Sequence, residues 1–250
     1  MKIIARKAAA VLMTLAMVGM ARAETAGILH ATLAERDQKT QEVSTDELRR
    51  ILRDSSAVVL DTRGRAEFDA GHIPGARNLD APASELVATV ERLVNGDKAK
   101  ALVLYCNGPF CQASRRAGEQ LVAAGFSNVR RYQLGMPVWR ALGGPTVIEF
   151  DGITRIAKAD RTAVFIDARS RTEFTSGTLV GAKSAPLDEL ISGALQKVPL
   201  PEDDFNRRVV LFGRDGEQSR KLAEMMSKRP WHNVTYYPGS FETLAAGLKE

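Results

Sequence analysis

The sequence predicts an α/β protein built from two tandem units, each a mainly parallel sheet flanked by helices on both faces. Three observations predict it. The first is an internal repeat, the signature to seek before any other. Asp61, Arg63, Glu67, Phe68, Gly71, Gly75 and Ala76 recur as Asp167, Arg169, Glu173, Phe174, Gly177, Gly181 and Ala182, always 106 positions on. The second is an alternation of short continuous apolar runs with segments of helical period, which implies parallel strands joined by helical crossovers. The third is length: 250 residues suit one large or two small domains.

The elements follow in order. Ser44-x-x-Glu47 reads as a capping box, and Leu48, Ile51 and Leu52 continue it at helical spacing. Ala57–Leu60 is an apolar run ending at Asp61, as a strand buried on both faces requires. Leu86, Val90, Leu93 and Val94 mark a second helix, and Ala101–Tyr105 a second buried strand. Ala117, Leu121 and Ala124 share a helical face, with Gly125 as its stop signal. Val129–Tyr132 is a further strand. Turn formers cluster at Gly143-Gly144-Pro145, the expected linker. The second unit repeats the plan, with strands at Ala163–Ile166 and Val209–Phe212 and a helix from about Ser219. The expected boundaries are 40–143 and 148–250.

Residues 1–23 read as a secretory signal peptide. Lys2, Arg6 and Lys7 precede an apolar stretch from Ala8 to Met20, and Ala21-Arg22-Ala23 is a small-x-small cleavage pattern. The apolar stretch is too short for a comfortable membrane span. Cleavage after Ala23 implies a periplasmic or secreted chain with no stable membrane insertion. It also removes four basic residues and no acidic ones, lowering the formal charge from +5 to +1. The overall pI near 9.3 therefore carries no nucleic-acid signal, and only 6% of residues are aromatic, too few for stacking platforms.

Two cysteines are present, Cys106 and Cys111. They lie too close in sequence to staple distant elements. A bridge over so short a loop is worth about 2 kcal/mol in the chain-entropy picture. The pair reads as chemistry. Cys106 ends an apolar strand, and the helix carrying Ala117 and Leu121 starts a few residues later. Ligands of open α/β sheets bind at carboxyl ends of strands. A loop wrapped around Cys106 points backbone N–H groups inward, and these favour a thiolate or a persulfide anion. The second copy has Gly213 where the first has Cys106, so it lacks a nucleophile.

Asp61-x-Arg63, Glu67-Phe68, Gly71-His72-Ile73-Pro74-Gly75-Ala76, the strand-end Tyr105-Cys106 and the later Gly135-x-x-x-Trp139 together resemble the rhodanese family. The resemblance runs from about residue 43 to the end. It implies two tandem rhodanese-like domains and sulfurtransfer: Cys106 takes a sulfane sulfur from a small donor, forms a persulfide, and passes the sulfur to a thiol or cyanide. The competing reading is a non-enzymatic redox-sensing or partner-binding module using the Cys106/Cys111 pair, with a periplasmic protein as partner; a third is reductase-assisted thiol exchange. In familiar two-domain members the reactive cysteine lies in the C-terminal unit, and here the order is reversed.

The expected active loop is Asn107, Gly108, Pro109, Phe110, Cys111, Gln112 and Ala113. It is two residues longer than the stretch between Gly213 and Ser219 and has no basic side chain. Arg115 and Arg116, already on the helix, are the nearby candidates for anion binding. A phosphatase of this fold needs Cys-x5-Arg, but Gln112 stands at that position. Cys111 has two readings: a resolving or disulfide partner for Cys106, or a residue packing with Phe110. Asp61 and Arg63 are expected to anchor loops, because both persist in the copy without a nucleophile. Trp139 is expected in the core, and His72 in a structural role. No metal site and no cofactor are expected.

Overall fold

The computed structural model describes residues 38–200 and 202–248. The expected signal peptide, residues 1–23, lies outside the described residues. Among those described, no helix is long and apolar enough to cross a membrane.

The first unit runs β1 (Gln41–Glu42), α1 (Thr45–Asp54), β2 (Val58–Asp61), α2 (Arg65–Ala70), β3 (Arg77–Asn78), α3 (Leu86–Leu93), β4 (Leu102–Tyr105), α4 (Ala113–Ala123), β5 (Val129–Tyr132) and α5 (Gly135–Ala141). Its five strands pair in the order β1-β5-β4-β2-β3, all parallel. The second unit runs β6 (Thr146–Val147), α6 (Phe150–Ala159), β7 (Val164–Asp167), α7 (Arg171–Ser176), β8 (Lys183–Ser184), α8 (Leu187–Ser192), β9 (Val209–Phe212), α9 (Gly216–Ser227), β10 (Val234–Tyr236) and α10 (Phe241–Gly247). Its order, β6-β10-β9-β7-β8, is the same topology, again all parallel.

The period of two along β4 divides the first core. Leu102 and Leu104 pack with Leu86, Val90, Ala117 and Leu121, beneath α3 and α4. Val103 and Tyr105 face the other way, with Leu48, Ile51, Met136 and Trp139 of α1 and α5. All four β4 residues are fully buried. That is why the run is apolar without alternation. In the second unit Leu211 packs with Leu190 and Leu222, and Val210 and Phe212 with Ile153 and Leu244. Trp139 is buried, as expected, and its indole N–H donates to Pro145 O at 2.9 Å.

Two boundaries and one cap differ from expectation. The second sheet takes its edge strand from Thr146, two residues ahead of the expected start at 148. Helix α9 begins at Gly216 rather than Ser219, because Asp215 caps it by accepting from Gln218 N at 2.8 Å. The Ser44 box is half closed: Ser44 Oγ accepts from Glu47 N, but the Glu47 carboxylate pairs with Arg130 of β5 at 2.7 Å.

Backbone bonds sew the units together. His72 and Val147 exchange both, at 3.0 and 2.9 Å, and Glu149 N donates to Asp69 O at 2.9 Å. At Gly152 of α6 a Cβ would sit 2.0 Å from Asp69 O, so glycine is what lets α6 approach α2.

Candidate active site

Cys106 follows β4 directly, at the carboxyl edge of the sheet, and is 3% exposed. Its carbonyl accepts from Met136 N at 3.2 Å, which ties the start of the loop to the start of α5. Gly135 makes this approach possible. It holds φ +63, and a Cβ there would lie 2.4 Å from both Cys106 O and Gly108 N. The loop then turns back on itself: Cys111 N donates to Gly108 O at 3.0 Å, and Gly108 adopts φ +128. This turn brings the Cys106 and Cys111 α-carbons to 6.2 Å, within bridging range, and the two sulfurs form a disulfide. Phe110 points out, 81% exposed, and is not the packing partner of Cys111. Ala113, expected in the loop, is the first residue of α4.

The end of α4 that faces the loop has no side-chain cap: Gln112 stands at the N-cap and makes no such bond. Its first-turn N–H groups and the helix dipole there favour an anion. The second unit fills the same place with its own carboxylate, since Asp215 caps α9 and Gln218 Oε1 accepts from Arg214 N at 2.8 Å. A Cβ on Gly213 would come within 2.8 Å of that Gln218 oxygen. The second unit thus lacks the nucleophile and also occupies the space around its position.

Asp61 and Arg63 lie beneath the site, both buried. Arg63 Nε and Nη2 grip the Asp61 carboxylate at 2.9 and 2.5 Å, and Nη2 also donates to Gly71 O at 2.8 Å. Burial works to lower the Arg63 pKa, but the hydrogen bonds and charge of Asp61 prevail and raise it. The Tyr105 hydroxyl donates to Asp61 Oδ2 at 2.6 Å and accepts from Ile73 N at 3.1 Å. Burial, reinforced by Asp61, holds the phenol well above its usual pKa. The residue preceding Cys106 is therefore fixed at its far end by a buried ion pair. Asp167 and Arg169 repeat the pair in the second unit, with Thr178 Oγ1 donating to Asp167 in place of the tyrosine.

Arg115 is turned along α4 onto Glu119, Nε to Oε1 at 2.9 Å. Arg116 is exposed on the same helix. His72 stacks on Phe68 with ring centroids 3.7 Å apart. Its Nδ1–H donates to Phe68 O at 3.1 Å, and burial pushes its pKa down to about 4.

Glu67 has a role that sequence reasoning missed: its carboxylate accepts from Asn107 Nδ2 at 2.6 Å and pins the loop to α2. Its counterpart Glu173 closes a capping box with Ser170. Gly64 stands at the corresponding cap in the first unit and has no side chain to offer. The one sequence signal is that exchange of Gly64 for Ser170, which frees Glu67 for the loop.

A parallel α/β unit that holds a strand-end cysteine under an uncapped helix, followed by a second unit that has neither, defines a tandem thiol-bearing class. The chain belongs to the rhodanese-like domain family, a family of sulfurtransferases, whose model matches residues 44–142 and 154–246. It is similar to the thiosulfate sulfurtransferase GlpE of Pseudomonas putida, 40% identical over 85 residues, covering 34% of this chain and 71% of the relative. It is also similar to the HTH-type transcriptional regulator Rv0324 of Mycobacterium tuberculosis, 35% identical over 103 residues, 41% of this chain and 43% of the regulator. The chain thus spans less than half of that second relative. Among solved structures, a thiosulfate sulfurtransferase from Pseudomonas aeruginosa aligns with a TM-score of 0.39 and 20% identity, over 82% of this chain and 42% of that one.

Proposed function

We propose that this protein is an exported sulfurtransferase that carries sulfane sulfur as a Cys106 persulfide and delivers it to a thiol or cyanide. The observation that carries this reading is the contrast between the two units. The strand-end thiol of the first unit precedes a helix, α4, without a side-chain cap, whereas Asp215 caps α9 of the second unit, which has no thiol. The Cys106 thiolate attacks the outer sulfur of a donor such as thiosulfate. The donor S–S bond breaks, sulfite leaves with the electron pair, and a persulfide anion remains in the loop. An acceptor thiolate then attacks the outer sulfur, and Cys106 departs as thiolate. This is covalent catalysis with ping-pong kinetics. The disulfide must be reduced before the first step.

Cys106→Ser should abolish transfer from thiosulfate, polysulfide or mercaptopyruvate, while Gly213→Ala leaves it near wild type. Full activity in Cys106→Ser would refute the assignment. Export after Ala23 is tested by N-terminal sequencing: the mature chain should begin at Glu24, and Met1 retained on cytosolic protein would overturn the localisation.

The disulfide favours a second reading, a thiol switch that binds a partner in one redox state. Under this reading partner binding should differ between oxidised and reduced wild type, and Cys111→Ser should show no such difference. Two persistent free thiols in oxidised wild type would exclude the switch.

A further inference from the structure

We propose that Cys111 resolves the Cys106 persulfide and releases its sulfur as sulfide, making the protein a sulfane-sulfur reductase driven by an external dithiol. The inference rests on the sulfurtransferase reading and names the internal acceptor and the product of the same site.

Cys111 is the one other thiol in the chain, and the turn closed by Cys111 N and Gly108 O delivers it to Cys106. The loop of the second unit, two residues shorter, has no residue in that role. A persulfide on Cys106 would be held in a loop whose nucleophile is 3% exposed. An external acceptor has to enter the loop to reach it, whereas Cys111 is already there. The Cys111 thiol passes its proton to the outer sulfur of the persulfide anion and attacks the inner sulfur as thiolate; the persulfide S–S bond breaks, and hydrosulfide leaves with the electron pair. The new bond is the Cys106–Cys111 disulfide, so the two thiols are oxidised and the sulfane sulfur is reduced.

The disulfide has a built-in polarity. Cys106 is buried at the end of β4, while Cys111 is half-buried in the loop that leads to α4. An incoming dithiol thiolate meets the Cys111 sulfur first and expels Cys106. Cys106 is assigned as the leaving group, because the loop it opens runs into α4, whose first turn has no side-chain cap and favours a nearby thiolate. The second thiol of the reductant then attacks the mixed disulfide on Cys111, which restores both thiols and oxidises the dithiol.

The test is a single turnover without an acceptor. Fully reduced, desalted protein is mixed anaerobically with thiosulfate, then assayed for sulfite, sulfide and intact mass. Wild type should release about one equivalent each of sulfite and sulfide and end with no free thiol. Cys111→Ser should release sulfite, no sulfide, and gain the mass of one sulfur. With dithiothreitol present, wild type should turn over repeatedly. If wild type also holds the extra sulfur, and sulfide appears only once a thiol is added, the resolving role is overturned and sulfurtransfer stands. If neither protein gains or releases sulfur from thiosulfate or polysulfide, the sulfurtransferase reading fails, and this inference with it.

Discussion

Gly135→Ala places a methyl group where the structure has none to spare. The new Cβ would lie 2.4 Å from Cys106 O and Gly108 N and 2.7 Å from Gly108 Cα. All three are backbone atoms, so no side chain can swing aside. Reaching an ordinary contact of ~3.4 Å requires the loop to move by roughly 1 Å, a displacement that can cost on the order of 10²-fold in rate. The φ of +63 adds roughly 1–2 kcal/mol for any residue bearing a Cβ, and forced overpacking adds about 1–3 kcal/mol. The expected stability loss is therefore about 2–5 kcal/mol. Gly108→Ala is the control. It shares a positive φ, but its Cβ would find 3.6 Å to the nearest atom, so the strain is conformational and the loop keeps its place. The assay is sulfite release from thiosulfate by reduced protein, with urea melts in parallel. A Gly135→Ala protein with wild-type rate and midpoint would refute the claim that this close approach sets the loop.

Three further outcomes are expected. Installing a thiol in the second unit, as Gly213→Cys in a Cys106→Ser background, should leave sulfite release below about a hundredth of wild type. Asp215 and Gln218 occupy the cradle, and a restored rate would show that the missing sulfur was the second unit's sole defect. Asp61→Asn strands Arg63 without its carboxylate and should cost about 3–5 kcal/mol, seen as a fall of several degrees or more in Tm. An unchanged Tm would deny the ion pair its anchoring role. His72 is held neutral, with its pKa lowered to about 4 by burial, so the unfolded chain binds its proton first as pH falls. Stability from this group is complete above its ordinary pKa of 6.5 and is lost towards pH 4, by about 2 kcal/mol between pH 7 and 5. His72→Gln should flatten that part of the urea midpoint–pH profile, and an unaltered slope would assign the loss to other groups.

The doubled α/β plan, the core strands and the one unit able to hold a nucleophile are legible in the amino-acid order alone. Those features are local or periodic. A strand buried on both faces must be a continuous apolar run, as Ala101–Tyr105 is, and a glycine at 213 has no sulfur whatever surrounds it. Asp61 and Arg63 persist as Asp167 and Arg169 in the unit without a nucleophile, which marks them as structural rather than catalytic. The short edge strands, such as β1 and β6 at two residues each, leave no periodic trace. They are strands only because a neighbour pairs with them. The tertiary structure alone decided that Cys111 bonds to Cys106 rather than packing with Phe110, because loop curvature depends on Gly108 and on Gly135 pressing beneath it. It alone decided that Glu67 leaves its helix cap to hold Asn107, 40 positions away, and that His72 pairs with Val147 across the two units. Backbone groups make such pairings with any side chain attached, and side chains distant along the chain meet only where the fold brings them, so neither leaves a pattern in the sequence.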